Sequence, residues 1–227
     1  MRFLLLALTL FSLQAFSRDD LNATKPGVYM GRQIAYTMHA VHAKWLMRNS
    51  REKEESVKEM IANLGLKKGM TVADVGCGNG YHSLMMAKLI GNTGTVLCVD
   101  VQQKMLDLLK ERAEEQKVKN YKLILGEYED PKLPEAKVDL ILIVDAYHEF
   151  TKPAEMLAKM RKSLSKDGLM VLLEFRAEDK TVPIKPDHKM SKKQILKEMT
   201  ANGFALAKSY DKLPWQHMMF FKKAEKK

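Results

Sequence analysis

Cysteine is scarce in this sequence, which contains Cys77 and Cys98 among 227 residues. Two cysteines are too few for the disulfide framework that stabilises many small secreted domains. Cys77 lies in a glycine-rich turn and Cys98 within an apolar segment. Both are therefore predicted to be small apolar fillers of the core.

The sequence also lacks an arginine-rich helix, interleaved basic and aromatic residues, internal repeats and low-complexity linkers. Lys and Arg number 38 against 28 Asp and Glu, giving a net charge of +10, but the lysines are scattered apart from small clusters at 117–122 and 222–227. Scattered lysines are typical of solvated helix faces, so no nucleic-acid partner is predicted. The length and the 46% hydrophobic content favour one sizeable domain with an N-terminal appendage.

An apolar run at residues 3–16 follows Arg2, and Ala15 and Ser17 then form a small-x-small site. This pattern is typical of a cleavable signal peptide, and the run is too short for a comfortable membrane span. A buried first helix is disfavoured because the run has no polar face. We therefore predict a signal peptide over residues 1–17, cleaved after Ser17. The mature protein is expected to be periplasmic or secreted, without a stable membrane anchor.

The stretch TVADVGCGNG, residues 71–80, contains Gly76, Gly78 and Gly80 between an apolar strand and a helical segment. Glycine permits positive φ angles and lets a ligand approach the backbone closely. Such a turn binds nucleotides in doubly wound α/β folds. The spacing G-x-G-x-G is one residue shorter than the dinucleotide pattern, and Asp74 precedes it. These features favour a cationic ligand with a single nucleoside.

A second apolar strand, TVLCVDV at residues 95–101, carries Asp100, 20 residues after Gly80. An acid at about this offset can accept hydrogen bonds from ribose hydroxyls, and Val101 beside it is assigned to the same site. The alternative for Asp100 is a helix N-cap. Together the glycine turn and this acid resemble the first motifs of the S-adenosylmethionine-dependent methyltransferases of class I, which have a Rossmann-like fold.

The resemblance implies an α/β, doubly wound, seven-stranded and mostly parallel sheet with an antiparallel C-terminal hairpin and an N-terminal helical cap. Residues 18–51 would form the cap and residues 52–227 the methyltransferase domain, with S-adenosylmethionine as cofactor. Alternation at 204–210 and 217–222, joined by a short turn, supports the hairpin, which dehydrogenase folds lack. An NAD(P)-dependent oxidoreductase and a nucleoside-cofactor-binding protein without catalysis stay open as alternatives.

Hydrophobic periodicity places the other elements. Apolar residues at spacings of three and four predict an amphipathic helix within 26–51, and a second helix is expected at 52–64, ended by Gly65. Ser191 and Gln194 predict a capping box for a late helix. Further helices are expected at 81–90, around 105–113 and after Pro153, and further strands at 121–125, 138–144 and 168–175, the last preceded by an SLSKDG turn.

The resemblance also assigns acidic residues to the cofactor. The loop after strand 121–125 would contact the adenine, with Glu127 as first choice and Glu129 or Asp130 as reserves. Asp145, which follows the central strand, would hold the amino group of the cofactor. A solvated acidic turn is the alternative for the loop residues.

Tyr147, His148 and Glu149 follow the same central strand, and the resemblance places them beside the methyl group and its acceptor. His148 is favoured as the base because imidazole titrates near neutral pH; His188 and His217 are reserves. The acceptor is expected to be a small molecule or envelope component of unidentified class. No short, fixed ligand spacing is present among these residues, so no metal is predicted.

In the expected cap, Tyr29, Arg32, Trp45 and Arg48 would face the pocket or brace the cap. His39 and His42 are three residues apart but have no third ligand nearby, so they are not predicted to bind metal. The oligomeric state is not specified by the sequence.

Overall fold

The computed structural model describes residues 27–225. The predicted signal peptide at residues 1–17 lies outside the described residues, and its cleavage stays a prediction. Within 27–225, no helix has the length and apolar content needed to cross a bilayer.

A small hairpin and a seven-stranded sheet contain all the strands of the described part of the chain. The hairpin pairs β1 (Val28–Tyr29) with β2 (Arg32–Gln33). The sheet has the order β5–β4–β3–β6–β7–β9–β8, formed by β3 (Thr71–Val75), β4 (Thr95–Asp100), β5 (Tyr121–Leu125), β6 (Val138–Val144), β7 (Leu164–Phe175), β8 (Phe204–Tyr210) and β9 (Gln216–Lys223). Strands β3 to β7 are parallel, whereas β9 is antiparallel to both β7 and β8. The predicted fold class is confirmed.

Helices cover both faces of the sheet: α1 (Arg51–Glu55), α2 (Val57–Asn63), α3 (Tyr81–Ile90), α4 (Gln103–Glu115), α5 (Pro153–Ser163) and α6 (Lys192–Ala201). One apolar cluster joins α2, α3 and α4 to the sheet, and another joins α5 and α6 to its opposite face. Residues of β6 alternate between the two clusters. The near-continuous apolar sequence of β6 is explained by this burial on both faces.

The predicted amphipathic helix within residues 26–51 is wrong. Met30 and Gly31 have φ angles of +49° and +95° and reverse the chain between β1 and β2. Helical structure begins only at Ala40 and is a 3-10 helix that ends at Met47. The apolar spacing suggested a buried stripe that includes Val41 and Trp45. These two residues are in fact 64% and 41% exposed, so the spacing does not mark a buried helix face.

Two other predicted elements differ in detail. Ser56 has a φ of +47° and divides the expected helix at 52–64 into α1 and α2. Strand β7 begins at Leu164, so the predicted turn before Gly168 is a bulge in that strand, between pairs Val138–Leu164 and Leu140–Leu169. A Cβ on Gly168 would lie 2.7 Å from the carbonyl oxygen of Val138, so the bulge requires glycine.

The capping box at α6 is half formed. The Ser191 side chain accepts a hydrogen bond from the Gln194 amide at 3.1 Å. The Gln194 side chain donates instead to the Met30 carbonyl and to Glu198, at 3.2 and 2.7 Å. Gln194 thereby ties the N-terminal hairpin to α6.

Candidate active site

A cavity of about 490 Å³ lies at the carboxyl ends of the parallel strands, where doubly wound sheets bind ligands. Small-molecule sites typically enclose roughly 300–1,000 Å³. The residues that follow β3, β4, β5, β6 and β7 line it together with the N-terminal segment: Gly76, Gly78, Asp100, Val101, Gln102, Glu127, Asp145, His148, Glu149, Phe175, His188, Met38, His42, Trp45 and Leu46, among others.

The three glycines of the turn differ in their neighbours. Gly76 and Gly78 line the cavity and have φ angles of +77° and +52°. A Cβ at Gly76 would lie 2.7 Å from the Cβ of Ala146, and one at Gly78 would lie 2.8 Å from Leu46 Cδ1. Gly80 lies outside the lining, and a Cβ there would collide with Leu109 of α4. Its requirement for glycine is therefore a matter of helix packing, not of ligand approach.

Asp100 lies at the cavity with both carboxylate oxygens engaged. Oδ2 accepts from the Gly78 amide at 2.9 Å, and Oδ1 accepts from the Gln102 amide at 2.9 Å. Burial raises the pKa of Asp100. Each carboxylate oxygen has a further lone pair that can accept from a ribose hydroxyl. Asp100 thus also anchors the backbone just before α4, although the N-cap of that helix is Gln102 and not Asp100; its role at the ribose stays a prediction.

Asp74 lies beneath the glycine turn and outside the cavity lining. Its Oδ2 accepts a hydrogen bond from the Ser83 hydroxyl at 2.5 Å. Burial raises the pKa of Asp74 to about 6, against the lowering effect of the Ser83 hydrogen bond; nearby Asp100 raises it further. Its observed contact braces α3 against β3 and is not a contact with the predicted ligand.

Asp145 combines one bonded and one unpartnered carboxyl oxygen. Its Oδ2 accepts from Gln216 Nε2 at 2.7 Å, while its buried Oδ1 has no hydrogen-bond partner within the described residues. Burial raises the pKa of Asp145 well above its usual range, and the carboxylates of Glu55 and Glu174 add to this. Asp145 lines the cavity, but Oδ1 is shielded from solvent, so its side chain would have to rotate to bring Oδ1 to the amino group of S-adenosylmethionine.

The loop after β5, which was predicted to contact the adenine, lies only partly at the cavity. Glu127 lines it but is exposed and pairs with Lys132 at 2.6 Å. Asp130 points away, pairing with Lys159 at 3.0 Å, and Glu129 is likewise outside the lining. Burial raises the pKa of Asp130, but its hydrogen bonds and the neighbouring lysine charges lower it by more. The pKa of Asp130 is therefore below its usual value.

His148 is held by a carboxylate within the sheet. Its Nδ1 lies 2.6 Å from Glu174 Oε2, and its Nε2 lies 3.0 Å from His188 Nδ1. Burial alone would lower the pKa of His148, but the Glu174 carboxylate outweighs it and the pKa is raised. Burial, followed by the positive charge of His148, lowers the pKa of His188. The arrangement can accept a proton at Nε2 and stabilise the resulting charge through Glu174.

Glu149 completes this cluster from the same short 3-10 helix, Tyr147–Glu149. Its Oε1 accepts from the Met38 amide at 3.2 Å, which joins it to the N-terminal segment. Burial raises the pKa of Glu149 to about 7. Tyr147, by contrast, is fully buried outside the cavity lining and donates to Glu198 at 2.7 Å.

Of the two reserve histidines, the structure brings only His188 to His148. His217 bonds Glu178 at 2.8 Å and lies outside the cavity lining. Sequence reasoning assigned no role to Glu174, although a carboxylate within the apolar strand GLMVLLEF was the available signal. It also missed Gln102 and Gln216, which only the tertiary contacts reveal.

The N-terminal segment covers the cavity and is braced from several sides. Trp45 lines the cavity, and the Arg48 guanidinium lies 3.6 Å from its ring centre. Arg32 pairs with Glu198 at 2.7 Å, and Tyr29 accepts from Asn202 at 2.8 Å. The Gln102 side chain accepts from the Ala40 amide and donates to the Met38 carbonyl, both at 2.9 Å.

Comparison with known proteins identifies the family. A family model described as a methyltransferase domain matches residues 66–222. The chain is 28% identical over 127 residues to a demethylmenaquinone methyltransferase of Staphylococcus aureus, covering 56% of this chain and 51% of that protein. It is 27% identical over 155 residues to the ubiquinone/menaquinone biosynthesis C-methyltransferase UbiE of Azotobacter vinelandii, covering 66% and 61%. It thus spans about half to three-fifths of the length of these relatives.

A crystal structure of a SAM-dependent methyltransferase from Aquifex aeolicus superposes with a TM-score of 0.77 at 22% identity, covering 82% of this chain and 98% of that one. This likeness supports the fold. The family match favours methyl transfer over the oxidoreductase alternative, and the predicted class and cofactor, an S-adenosylmethionine-dependent methyltransferase, are confirmed at the level of the family. The chain belongs to the methyltransferase-domain family.

Proposed function

We propose that this protein transfers the methyl group of S-adenosylmethionine to a small, largely apolar acceptor bearing an ionisable hydroxyl or amino group. One observation carries the proposal. The carboxylate-supported imidazole of His148 lines the same cavity as Gly76, Asp100 and Asp145. The cofactor-binding residues and a proton acceptor are thus within reach of one bound pair of reactants.

The chemistry requires alignment and removal of a proton. The cofactor supplies an electrophilic methyl group on a sulfonium with a good leaving group. Asp100 would accept from its ribose hydroxyls and Asp145 Oδ1 from its amino group, which fixes the direction of the methyl group. His148 Nε2 would take the proton of the acceptor, and Glu174 would stabilise the imidazolium.

The acceptor class is supported by the lining of the cavity. Met38, Leu46, Phe150, Phe175 and Ile184 contribute apolar side chains around the polar cluster. Such a lining favours a flat or aliphatic ligand with few polar groups. The two relatives reported above are named for quinone biosynthesis, so quinone precursors are the first acceptors to test.

Transfer of a labelled methyl group from S-adenosylmethionine to a panel of phenols, quinone precursors and amines tests the proposal. The wild-type protein is expected to label at least one acceptor, and H148Q to lose most of this activity while still binding cofactor. H217Q is the matched control and should retain activity. Calorimetric binding of S-adenosylmethionine without any labelled product would favour the noncatalytic binding protein instead.

We further propose that the protein acts outside the cytoplasm, on the basis of the pattern at residues 1–17. Cell fractionation followed by N-terminal sequencing tests this. The exported protein should begin at Arg18. A cytoplasmic protein that retains Met1 would contradict the proposal.

A further inference from the structure

We propose that His148, Glu149 and His188 bind a divalent transition-metal ion, with Zn²⁺ as the first candidate, next to the methyl acceptor. All three residues line the cavity, and each offers one ligand atom. The inference deepens the proposed function and rests on it for the role of the ion. Binding of the ion itself can be measured independently of that function.

The three ligand atoms form a triangle of the right size. His148 Nε2 lies 3.0 Å from His188 Nδ1 and 3.9 Å from Glu149 Oε1, and His188 Nδ1 lies 4.0 Å from the same oxygen. The point equidistant from these atoms lies about 2.1 Å from each, which is the usual length of zinc bonds to imidazole nitrogen and carboxylate oxygen. The site therefore needs little rearrangement to accept an ion.

The ligands come from two segments that are separately anchored. His148 and Glu149 belong to the 3-10 helix after β6, and Glu149 is held by the Met38 amide. His188 ends a second 3-10 helix, Pro186–His188, in the segment after β7. An ion would thus connect the two segments on either side of the acceptor position.

Glu174 supplies the second shell that a metal-bound histidine normally has. Its Oε2 lies 2.6 Å from His148 Nδ1, and its Oε1 accepts from the His148 amide at 3.2 Å. A carboxylate bound to Nδ1–H fixes the tautomer that directs the Nε2 lone pair at a metal. Glu174 is fully buried, so this orientation is held by the core of the sheet.

The charges around the site suit a divalent cation. Glu149 and Glu174 supply two negative charges, and two neutral imidazoles complete the set. Arg32 pairs with Glu198 at 2.7 Å, which offsets its repulsion, whereas the charge of Lys185, beside His188, opposes a bound cation. Two histidines and one carboxylate are a ligand set of catalytic zinc sites, which keep a position open for water or substrate.

In the metal-loaded form, an oxygen or nitrogen of the acceptor would occupy that open position, and the ion would lower its pKa so that its proton passes to water before methyl transfer. The ion then replaces the proton at His148 Nε2, and His148 acts as a ligand. The base described above corresponds to the metal-free form of the same site.

Calorimetric titration of untagged, EDTA-treated protein with Zn²⁺ tests the proposal, and Co²⁺ as a spectroscopic probe reports the ligand geometry in its visible absorption. One ion per chain is expected. H188A and E149Q should each weaken binding at least thirtyfold, and E174Q about 10- to 100-fold. H42A, which removes an exposed cavity-lining histidine outside the triangle, is the matched control and should bind like wild type.

Circular dichroism of each variant separates loss of the metal site from loss of the fold. H188A is expected to fold, because His188 lies in a partly exposed segment. Substoichiometric binding, or affinity unchanged in folded H188A and E149Q, would overturn the proposal. Titration of the same preparations with S-adenosylmethionine distinguishes failure of the metal proposal from failure of the proposed function. Cofactor binding and methyl transfer without metal binding would leave the proposed function standing and remove only the ion.

Discussion

Asp145 combines backbone strain, burial and an unpartnered oxygen in one residue. Its φ is +47°, a conformation that few residues other than glycine adopt, although Asp and Asn tolerate it best. Strain of this kind persists where the surrounding structure enforces it, and it concentrates at functional sites. Here it holds the Asp145 side chain in the lining of the cavity, with the unpartnered Oδ1 shielded from solvent.

Asp145→Asn should weaken cofactor binding about 10- to 100-fold, because a hydrogen bond to a charged group is worth roughly 1.5–3 kcal/mol. The fold should persist, since Asn also tolerates the left-handed conformation. Calorimetry with S-adenosylmethionine measures the change. E129Q removes an exposed carboxylate outside the cavity lining and should alter affinity less than threefold; equal losses in both variants would contradict the specific role of Asp145.

Asp74 provides a prediction about pH and stability. The pKa of Asp74 is raised from 3.8 to about 6, so the folded protein binds this proton more tightly than the unfolded chain does. The associated stability is present below pH 3.8 and is lost as pH rises through about 6. D74N, which carries no charge, should therefore gain stability relative to wild type over this window, by about 3 kcal/mol in total.

Denaturant unfolding of wild type and D74N between pH 4 and 8 measures this difference. Ser83→Ala removes the hydrogen bond but keeps the carboxyl group, and it should widen the pH-dependent loss. A wild-type to D74N difference that does not vary with pH would show that Asp74 has an ordinary pKa.

For single residues, the sequence predicted well which positions lie near the cavity. It predicted less well which hydrogen bonds their side chains make. Gly76, Gly78, Asp100 and Asp145 follow strands, and parallel strands end at one edge of a sheet. Tyr147 also follows a strand but points to Glu198, because the 3-10 helix turns its side chain away from its neighbours. Local spacing does not specify such turns.

Among the elements, the break between α1 and α2 makes a separate prediction. Ser56 has a φ of +47°, which costs a residue with a Cβ roughly 1–2 kcal/mol. Ser56→Gly should relieve part of this cost and raise the melting temperature by roughly 2–4 °C. Ser50→Gly is the matched control, because Ser50 has right-handed helical angles and should gain nothing. Equal shifts in both variants would contradict the explanation.

The attachment of the N-terminal segment depends on Gln102. Its side chain makes two hydrogen bonds to the backbone at Met38 and Ala40. Gln102→Ala should increase amide hydrogen exchange over residues 38–47 and speed cofactor dissociation severalfold, since each bond contributes about 1 kcal/mol. Gln103→Ala, which removes an exposed bond to Asp107, should change neither quantity. Unchanged exchange in Gln102→Ala would show that other contacts suffice.

Strands and crossover helices were predictable because their apolar periods and glycine signals agree. The N-terminal segment was not, because its direction is set by Met30 and by contacts with Gln102, Gln194 and Glu149 that lie far away in sequence. The left-handed Ser56 also has no signal in its residue type. Tertiary contacts decide such segments.

For the whole molecule, ligand binding should appear as thermal stabilisation. S-adenosylhomocysteine at 100 times its dissociation constant should add about 2.7 kcal/mol, raising the melting temperature by about 5–10 °C. NAD at the same concentration should produce no shift, because the turn is one residue shorter than the dinucleotide pattern. A shift with NAD alone would contradict the cofactor assignment.

The mostly parallel sheet with its antiparallel C-terminal hairpin was implied by the family resemblance, which rests on two motifs in register and is supported by the alternation at 204–210 and 217–222. The depth of the cavity could not be predicted from the sequence, because it depends on the N-terminal segment lying over the strand ends. The raised pKa of Asp145 likewise depends on residues as distant in sequence as Glu55 and Glu174, and its hydrogen bond on Gln216.

Strand β9 is inserted between β7 and β8, although it follows both in the chain. Its residues 216–221 are all buried, and until this segment is available β7 has an open edge and β8 lacks the strand it pairs with. The native sheet therefore cannot be completed before residues 216–223 have been synthesised. A chain that stops before residue 216 would lack the strand that joins β8 to the rest of the sheet, and it should not reach the native state.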